Sequence, residues 1–425
     1  IPAPEKVVLP LSMHIGAPAK PLVQPGDKVC LGQKIAAAQG AVSSNIHASV
    51  SGIVTGTERR FLPNGTVATC IVIKNDGQDT LDPTICPRES GLVLPPDEIR
   101  QLLADKGIVG MGGATFPTHV KYAPQNSGRI IDTVILNGIE CEPFITADYR
   151  ILIENAAEVI RGLKYFLKAS LANKGIIAIE ANKPRAVELL EQLTADEPNI
   201  SVVVCPEKYP QGSERHLIYA VTGRVVPERA LPSAVGVIVD NVATAMQAAQ
   251  AVKDDLPCYE RIVTVSGNTV RKPGNYRVRI GTLYSHLVEQ GALGLKNEPA
   301  RIISGGPMMG FSLHSLDFPV LKGTGGLLIF DHQSKLAQLP PENPCVRCGK
   351  CVDTCPMFLE PTQLFKAVKR RDWPAALAGH VGACIECGSC AYNCPAHIPL
   401  VQYIRMGKQF IMTDGFGGHN PYYKK

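Results

Sequence analysis

The sequence contains CVRCGKCVDTCP at residues 345–356 and CIECGSCAYNCP at residues 384–395. Both runs follow the pattern C-x2-C-x2-C-x3-C-P, which is the ligand spacing of [4Fe-4S] clusters. Three thiolates with this spacing can surround one face of a cubane cluster, whereas the fourth cysteine usually ligates the cluster of the other run. The two runs therefore predict two [4Fe-4S] clusters and a protein that transfers single electrons.

The crossed arrangement divides the eight cysteines into two sets of four. The predicted ligands of the first-run cluster are Cys345, Cys348, Cys351 and Cys394, and those of the second-run cluster are Cys384, Cys387, Cys390 and Cys355. Corresponding cysteines lie 39 positions apart, which indicates an internal duplication. Two zinc sites are the alternative interpretation, but zinc ribbons use two separated Cys-x2-Cys pairs and have no use for further cysteines at these intervals.

Length and composition limit the class of protein. A chain of 425 residues is long enough for about three or four domains. The 43 basic and 38 acidic side chains give a net charge of +5 without a basic block, so we expect no nucleic acid partner. Clusters need free thiolates, which favours a reducing compartment. No stretch approaches the 18 or so apolar residues of a membrane span, so we expect no transmembrane segment.

Residues 1–95 carry short β-type runs separated by Gly and Pro, which predict a small β-sandwich. The pattern resembles the half-barrel of biotinyl and lipoyl carrier domains. The turn that presents a modifiable lysine in those domains reads SNIH here, at residues 44–47, so we do not expect covalent carriage. We interpret His47 as a turn or packing residue, because no other metal-ligating residues surround it in the sequence.

Residues 96–255 alternate between buried strands and amphipathic helices, which predicts an α/β layer with a largely parallel sheet. Residues 130–136, 175–180 and 200–205 have the composition of strands, and residues 148–169 have helical spacing.

The remaining sequence predicts two more domains and a tail. Residues 256–335 show short strands around one helix, which is typical of a β-grasp module. Residues 336–412 form the predicted helical two-cluster domain, and residues 413–425 a tail. The predicted fold class is therefore multidomain α/β: a β half-barrel (barrel-sandwich), an α/β domain, a β-grasp domain and a ferredoxin-like domain.

A glycine-rich loop, GIVGMGGATFPTHVK, occupies residues 107–121. Its glycines allow backbone N–H groups to approach a phosphate, Pro117 suits the first position of a helix, and Lys121 can neutralise negative charge. The loop matches neither the dinucleotide fingerprint nor the Walker P-loop. By itself it is equally compatible with an ordinary turn.

A second segment, LNGIECEP at residues 136–143, places an amide and two carboxylates at a probable strand end. Strand ends are where α/β sheets bind ligands, and Glu140 and Glu142 are suited to accept hydrogen bonds from amide or ribose hydroxyl groups. The alternative for both glutamates is a solvated loop.

The two segments are followed in order by YPQGSE at residues 209–214 and DNVAT at residues 240–244. The combination closely resembles the flavin and NADH site of the 51 kDa-type subunit of respiratory complex I. With the half-barrel and two cluster runs, the chain more closely resembles the RnfC (also called RsxC) family of the Rnf electron transport complexes. The predicted β-grasp segment resembles the SLBB domain that follows the flavin domain in the 51 kDa-type subunit.

The resemblance implies a non-covalently bound FMN, with NADH stacked over it. The residues implied in FMN binding are Gly110, Gly112, Gly113, Ala114, Lys121, Asn137, Glu140, Gly212, Glu214, Asp240, Asn241 and Thr244. Those implied in NADH binding are Phe116, Lys121, Glu142, Tyr209 and Glu214. Two positions depart from complex I, since Met111 replaces a common Arg and Ile139 replaces an Asp.

The implied activity is that of a NAD:ferredoxin oxidoreductase component. A nicotinamide gives up two electrons as hydride and a cubane cluster accepts one, so a flavin is the chemical converter between them. No catalytic side chain is expected. The family implies an ion-translocating membrane complex, with this protein peripheral on its cytoplasmic face. Its implied partners include a ferredoxin-type iron–sulfur subunit.

Three other interpretations fit parts of the sequence. One is a two-cluster electron relay whose α/β region docks a partner and binds no nucleotide. Another is the first component of the ion-pumping NADH:quinone reductase, which resembles the half-barrel and central domains but lacks the cluster runs. The third is the complex I protein itself, which has one cluster motif and no half-barrel.

Overall fold

The computed structural model describes residues 1–89, 93–123, 130–228 and 230–413. It divides into two compact units. The larger comprises Ile1–Val225, Pro232–Gly306 and Gly310–Ala337, and the smaller comprises Val226–Leu231, Pro307–Met309 and Gln338 onward. The predicted tail at 413–425 lies outside the described residues apart from Thr413.

The larger unit begins with seven antiparallel strands. They are β1 (Lys6–Pro10), β2 (Lys20–Pro21), β3 (Lys28–Val29), β4 (Lys34–Ala37), β5 (Ile46–His47), β6 (Gly52–Phe61) and β7 (Val67–Asn75). They form sheets of order β1-β7-β6-β3 and β2-β4-β5. Strand β6 alternates between buried and exposed positions along most of its length, as expected for a sheet with one face in a core. The predicted half-barrel is confirmed, and His47 lies buried in β5.

A parallel α/β sheet follows. Its elements are α1 (Pro96–Asp105), α2 (Thr118–Lys121), β8 (Thr133–Gly138), α3 (Ala147–Glu154), α4 (Ala156–Ser170), β9 (Lys174–Glu180), α5 (Pro184–Thr194), β10 (Ile200–Cys205), α6 (Glu214–Thr222), β11 (Val237–Asn241) and α7 (Val242–Lys253). The strand order is β10-β9-β8-β11, with every pair parallel. A Cβ atom at Gly162 of α4 would overlap the Ala245 carbonyl of α7, so these two helices pack closely.

One predicted helix is two helices in the structure. The helical spacing at 148–169 predicts one element, but the chain leaves the helical conformation at Asn155, with φ −132° and ψ 31°. Asn competes poorly for a helix interior because its side chain favours helix ends and turns. The break gives α3 its own N-terminus beside the acidic segment.

The third part of the larger unit is a mixed five-stranded sheet with one short helix. Its elements are β12 (Glu260–Ser266), β13 (Gly274–Arg279), α8 (Tyr284–His286, continued by a π turn over Leu287–Gly291), β14 (Arg301–Ser304), β15 (Phe311–Leu313) and β16 (Gly326–Phe330). The order is β13-β12-β16-β14-β15. Strand β16 is buried throughout, which makes it the centre of this small core. The predicted β-grasp fold is confirmed.

The smaller unit is helical: α9 (Lys350–Asp353), α10 (Pro361–Lys369), α11 (Trp373–Ala378), α12 (Ser389–Tyr392) and α13 (Leu400–Thr413). The duplication is visible in its backbone, because α9 and α12 follow Gly349 and Gly388, whose φ angles are 78° and 80°. Trp373 stacks on Phe410 with 4.2 Å between ring centroids. Within the described ranges, none of the helices is both long and apolar enough to cross a lipid bilayer.

Candidate functional site

The carboxyl ends of β8 and β11 bring two of the predicted segments together. The strands pair in parallel register, so that Asn241 lies directly opposite Asn137. The glycine loop between α1 and α2 reaches the same edge, since the Met111 N–H donates to Thr244 Oγ1 in the first turn of α7 at 2.9 Å. Three predicted segments thus meet where parallel sheets bind ligands.

The glycine loop is closed by its own backbone. The Gly110 N–H donates to Phe116 O at 2.8 Å, and the Thr115 N–H donates to Gly110 O at 3.1 Å. Gly113 has φ 114°, a conformation that side chains disfavour, so glycine is required there. The closure leaves the loop tip projecting from the sheet edge.

The loop tip can hold an anionic group. In the described part of the chain, the N–H groups of Gly112, Gly113 and Ala114 donate to no protein atom, and all three residues are exposed. A Cβ atom at Gly112 would lie 3.3 Å from Asn241 Cβ, tighter than an ordinary contact. Three successive amide donors on such a loop are the kind of cradle that binds phosphate. The residues present therefore fit a phosphate-bearing cofactor such as FMN.

A buried carboxylate orients Lys121 beside the loop. Lys121 Nζ donates to Val239 O at 2.6 Å and lies 3.3 Å from Asp240 Oδ1. The other carboxylate oxygen, Asp240 Oδ2, accepts from the Tyr122 hydroxyl at 2.7 Å. Burial, followed by the Asp240 charge, raises the pKa of Tyr122 well above its ordinary value, so its proton stays on the phenol. Asp240 thus contacts protein groups through both oxygens.

Asn241 joins the sheet edge to α3. Its Oδ1 accepts from the Ala243 N–H at 2.8 Å and so caps α7, while its Nδ2 donates to Asp148 Oδ2 at 2.5 Å. Glu140 caps α3, because its two carboxylate oxygens accept from the Asp148 N–H at 2.9 Å and the Tyr149 N–H at 3.1 Å. Burial, and then the charge of Asp148, raise the pKa of Glu140 to about 8. Burial also raises the pKa of Asp148.

Asn137 ties the fourth segment to the site. Its Nδ2 donates to Gly212 O at 2.8 Å, and its Oδ1 accepts from the Ile139 N–H at 3.1 Å. A Cβ atom at Gly212 would lie 2.9 Å from Ile139 O, so the loop at 209–214 needs glycine at this contact. Lys121 and Asp240 are electrostatic neighbours of Glu214, the first residue of α6.

The predicted nicotinamide contacts lie less deeply. Phe116 and Tyr209 are partly exposed. Glu142 packs against the third domain, since a Cβ atom at Gly306 would overlap its carboxylate. These positions border the site, and their contact with NADH stays a prediction.

In the smaller unit, each crossed set of cysteines lines one cavity. Cys355, Cys384, Cys387 and Cys390 line an apolar cavity with Leu359, Leu364 and Ile404 among its walls, and Cys345, Cys348, Cys351 and Cys394 line a second cavity with Arg347 and Lys366 at its border. No three His, Cys, Asp or Glu side chains in the described ranges converge as a single metal ion requires. The cysteines instead surround spaces, as ligands of a larger group do.

The two cluster loops differ in their charge environment. Arg347 and Glu386 occupy equivalent positions of the two runs, with φ 57° and 59°. Glu386 is paired with Arg405 Nε at 3.0 Å and Lys408 Nζ at 2.5 Å, both from α13. Arg347 is exposed, and within the described chain no acidic side chain pairs with it. The second-run cavity is therefore the more enclosed one.

Two residues of the site lie outside the motifs that the sequence reveals. Asp148 and Tyr122 lie in ordinary helical patterns, and their importance comes from Asn241 and Asp240, about 90 and 120 positions away. An acid in the first turn of a helix is the one local signal that could have indicated Asp148.

Comparison with protein families assigns each part of the chain. Residues 103–250 match the Nuo51 FMN-binding domain, and residues 343–398 a 4Fe-4S dicluster domain. Residues 1–78 match the RnfC barrel sandwich hybrid domain, and residues 262–312 the SLBB domain. The cofactors are FMN and two [4Fe-4S] clusters, and the chain is an electron-transfer protein of the flavin and iron–sulfur class.

Relatives of this class are similar over most of their length. The RnfC-type component of the Na+-translocating ferredoxin:NAD+ oxidoreductase complex of Acetobacterium woodii is 42% identical over 370 residues, covering 87% of this chain and 83% of the relative. The corresponding components of the proton-translocating complex of Clostridium ljungdahlii and the ion-translocating oxidoreductase complex of Rhodobacter capsulatus are 42% identical (85% and 78%) and 41% identical (96% and 78%). The chain belongs to the RnfC family.

Solved structures show the same fold at greater distance. The crystal structure of NAD+-reducing [NiFe]-hydrogenase in the air-oxidized state aligns with a TM-score of 0.53 at 21% identity, covering 73% of this chain and 63% of that chain. The H2-reduced state aligns with a TM-score of 0.51.

Proposed function

We propose that this chain exchanges electrons between NAD(H) and the ferredoxin-linked partner subunits of an ion-translocating membrane complex, through FMN and two [4Fe-4S] clusters. One combination of features supports this most directly. A single polypeptide carries a loop with three available amide donors at the carboxyl edge of a parallel sheet, and two cavities each lined by four cysteines.

The loop tip and Lys121 are the proposed holders of the FMN phosphate. Gly112, Gly113 and Ala114 supply backbone donors, and Lys121 supplies charge in an orientation set by Asp240. The other proposed FMN residues act around this cradle. They are Gly110, Asn137, Glu140, Gly212, Glu214, Asp240, Asn241 and Thr244, whose contacts within the protein hold the four segments together.

The chain's own residues bind and orient the reactants. Phe116, Glu142, Tyr209 and Glu214 are the proposed nicotinamide contacts at the border of the site. FMN, when bound, accepts a hydride and releases electrons singly. Because hydride transfer needs alignment and exclusion of water, no side chain has to act as general base.

The two crossed cysteine sets are the proposed cluster ligands. Cys345, Cys348, Cys351 and Cys394 would hold the first-run cluster, and Cys384, Cys387, Cys390 and Cys355 the second-run cluster. Their arrangement around separate cavities supports this division. We further propose peripheral attachment at the cytoplasmic face of the membrane, where the electron partner is a ferredoxin-type iron–sulfur subunit.

The full chain, purified without oxygen and supplied with FMN, iron and sulfide, provides the test. NADH should bleach the flavin absorbance and then produce the EPR signals of reduced clusters. Samples lacking FMN are the control, and in them NADH should leave the clusters oxidised. If NADH neither bleaches the flavin nor reduces the clusters, while dithionite reduces them, the chain is a relay without nucleotide binding.

A further inference from the structure

The half-barrel turn at residues 44–47 is buried rather than presented to solvent. Ser44 and Ile46 have no exposed surface, and Asn45 is 8% exposed. Asn45 Nδ2 donates to Ala104 O at 3.1 Å and to Asp105 O at 3.2 Å, the last carbonyls of α1. Carbonyl groups at a helix C-terminus lack partners within the helix, so Asn45 satisfies two of them. The turn is therefore fixed to the α/β domain.

A lysine from the third domain joins this contact. Lys322 is fully buried, and its Nζ donates to Asn45 O at 2.8 Å and to Gly107 O at 2.7 Å. No carboxylate in the described chain forms an ion pair with it, and burial lowers its pKa to about 8. Burial of an ammonium group with carbonyl partners only is costly, so two well-placed acceptors are needed to retain it.

The same segment continues to the back of the glycine loop. Arg261, which is 2% exposed, donates through Nη1 to Lys322 O, and its Nη2 lies 3.5 Å from Met111 O. A Cβ atom at Gly323 would lie 2.6 Å from Thr115 Cγ2 and 3.3 Å from Gly113 O. Residues 322–323 thus contact the loop on the side opposite its exposed tip.

We propose that Lys322, Arg261 and Gly323 are positioning residues that hold the glycine loop in its cofactor-binding form, with the half-barrel turn as their anchor. This inference rests on the proposed function, in which that loop binds the FMN phosphate. A loop with two adjacent glycines has few side chains to stabilise it, so the convergence of its three amide donors depends on support from outside. The half-barrel and the third domain are thereby parts of the flavin site.

The Gly323→Ala and Gly325→Ala variants test this directly in the full chain loaded with clusters. Neither glycine has a positive φ, so alanine suits both backbones. A Cβ atom at Gly325 meets nothing closer than Arg261 Nη2 at 3.9 Å, which makes Gly325→Ala the matched control. FMN fluorescence titration should show Gly323→Ala binding at least about tenfold more weakly than wild type, and Gly325→Ala within about threefold, as loss of preorganisation predicts.

Two further measurements separate positioning from a general loss of stability. Thr115→Ser removes the Cγ2 atom that the added methyl would meet, so the double variant with Gly323→Ala should recover affinity. Iron content should match wild type, and NADH-dependent activity of Gly323→Ala should return at saturating FMN.

Lys322→Met provides a second perturbation, and Lys322→Arg keeps the charge. The Met variant should also bind FMN at least about tenfold more weakly. Equal FMN affinity of wild type, Gly323→Ala and Lys322→Met would overturn the positioning role while leaving the proposed function intact. A wild-type chain that binds no FMN would instead overturn the proposed function.

Discussion

Thr244→Val isolates the hydrogen bond that joins the glycine loop to α7. Thr244 Oγ1 is fully buried and accepts from the Met111 N–H at 2.9 Å, and Met111 itself is 3% exposed. Valine has nearly the same shape but no acceptor, so the Met111 N–H would remain buried without a partner. Such a group costs about 1–3 kcal/mol.

The expected consequence is weaker FMN binding. If the loop escapes the cost by moving, FMN must restore it, and about 1–3 kcal/mol corresponds to roughly 5–150-fold in the dissociation constant. Fluorescence titration of the full chain measures this constant. Thr244→Ser is the control, because it keeps the hydroxyl and loses one methyl group.

The result depends on the ratio between the two variants. Thermal unfolding should fall for both, since both lose packing or a hydrogen bond, but FMN affinity should fall mainly for the Val variant. If Thr244→Val binds FMN as tightly as Thr244→Ser, the loop does not depend on this hydrogen bond, and the role assigned to Thr244 is wrong.

Three further predictions concern other parts of the chain. Cys355→Ala should remove the EPR signal of the second-run cluster and Cys394→Ala that of the first-run cluster; the opposite pattern would contradict the crossed ligand sets. Gly306→Ala should displace the Glu142 carboxylate and raise the KM for NADH severalfold with FMN affinity unchanged, and an unaltered KM would remove Glu142 from the nicotinamide site. Burial lowers the pKa of His14 from 6.5 to about 4, so below pH 6.5 only the unfolded chain takes up its proton and stability falls. His14→Gln should abolish about 2 kcal/mol of that loss at pH 5, and hydrogen exchange of the half-barrel strands would detect equal pH dependence in both proteins if burial has no such effect.

Local patterns in the sequence were sufficient for the four folds and the cofactor class. Cluster ligands follow fixed short spacings, so eight cysteines in two runs predict two clusters before any tertiary contact is known. Strand and helix periodicity likewise predicts the parallel sheet and the half-barrel. The family matches confirm the cofactors, whereas the individual ligands and domain boundaries stay predictions.

Helix ends were less predictable. The expected helix at 361–378 is divided into α10 and α11, with Asp372 capping α11 by accepting from the Ala375 N–H at 3.1 Å. An acid at such a position is compatible with either a continuous helix or a new N-terminus, because the competing free energies differ little.

The sequence by itself determined which groups are present: eight thiols at cluster spacing, a glycine loop and an acidic strand end. Only the tertiary structure decided what those groups do to one another. Lys322 contacts Asn45 and Gly107 across 277 and 215 positions, and each of the three lies in an unremarkable local pattern. The physical reason is that periodicity and motif spacing report interactions between near neighbours in the chain, whereas support for the loop comes from residues that only folding brings together.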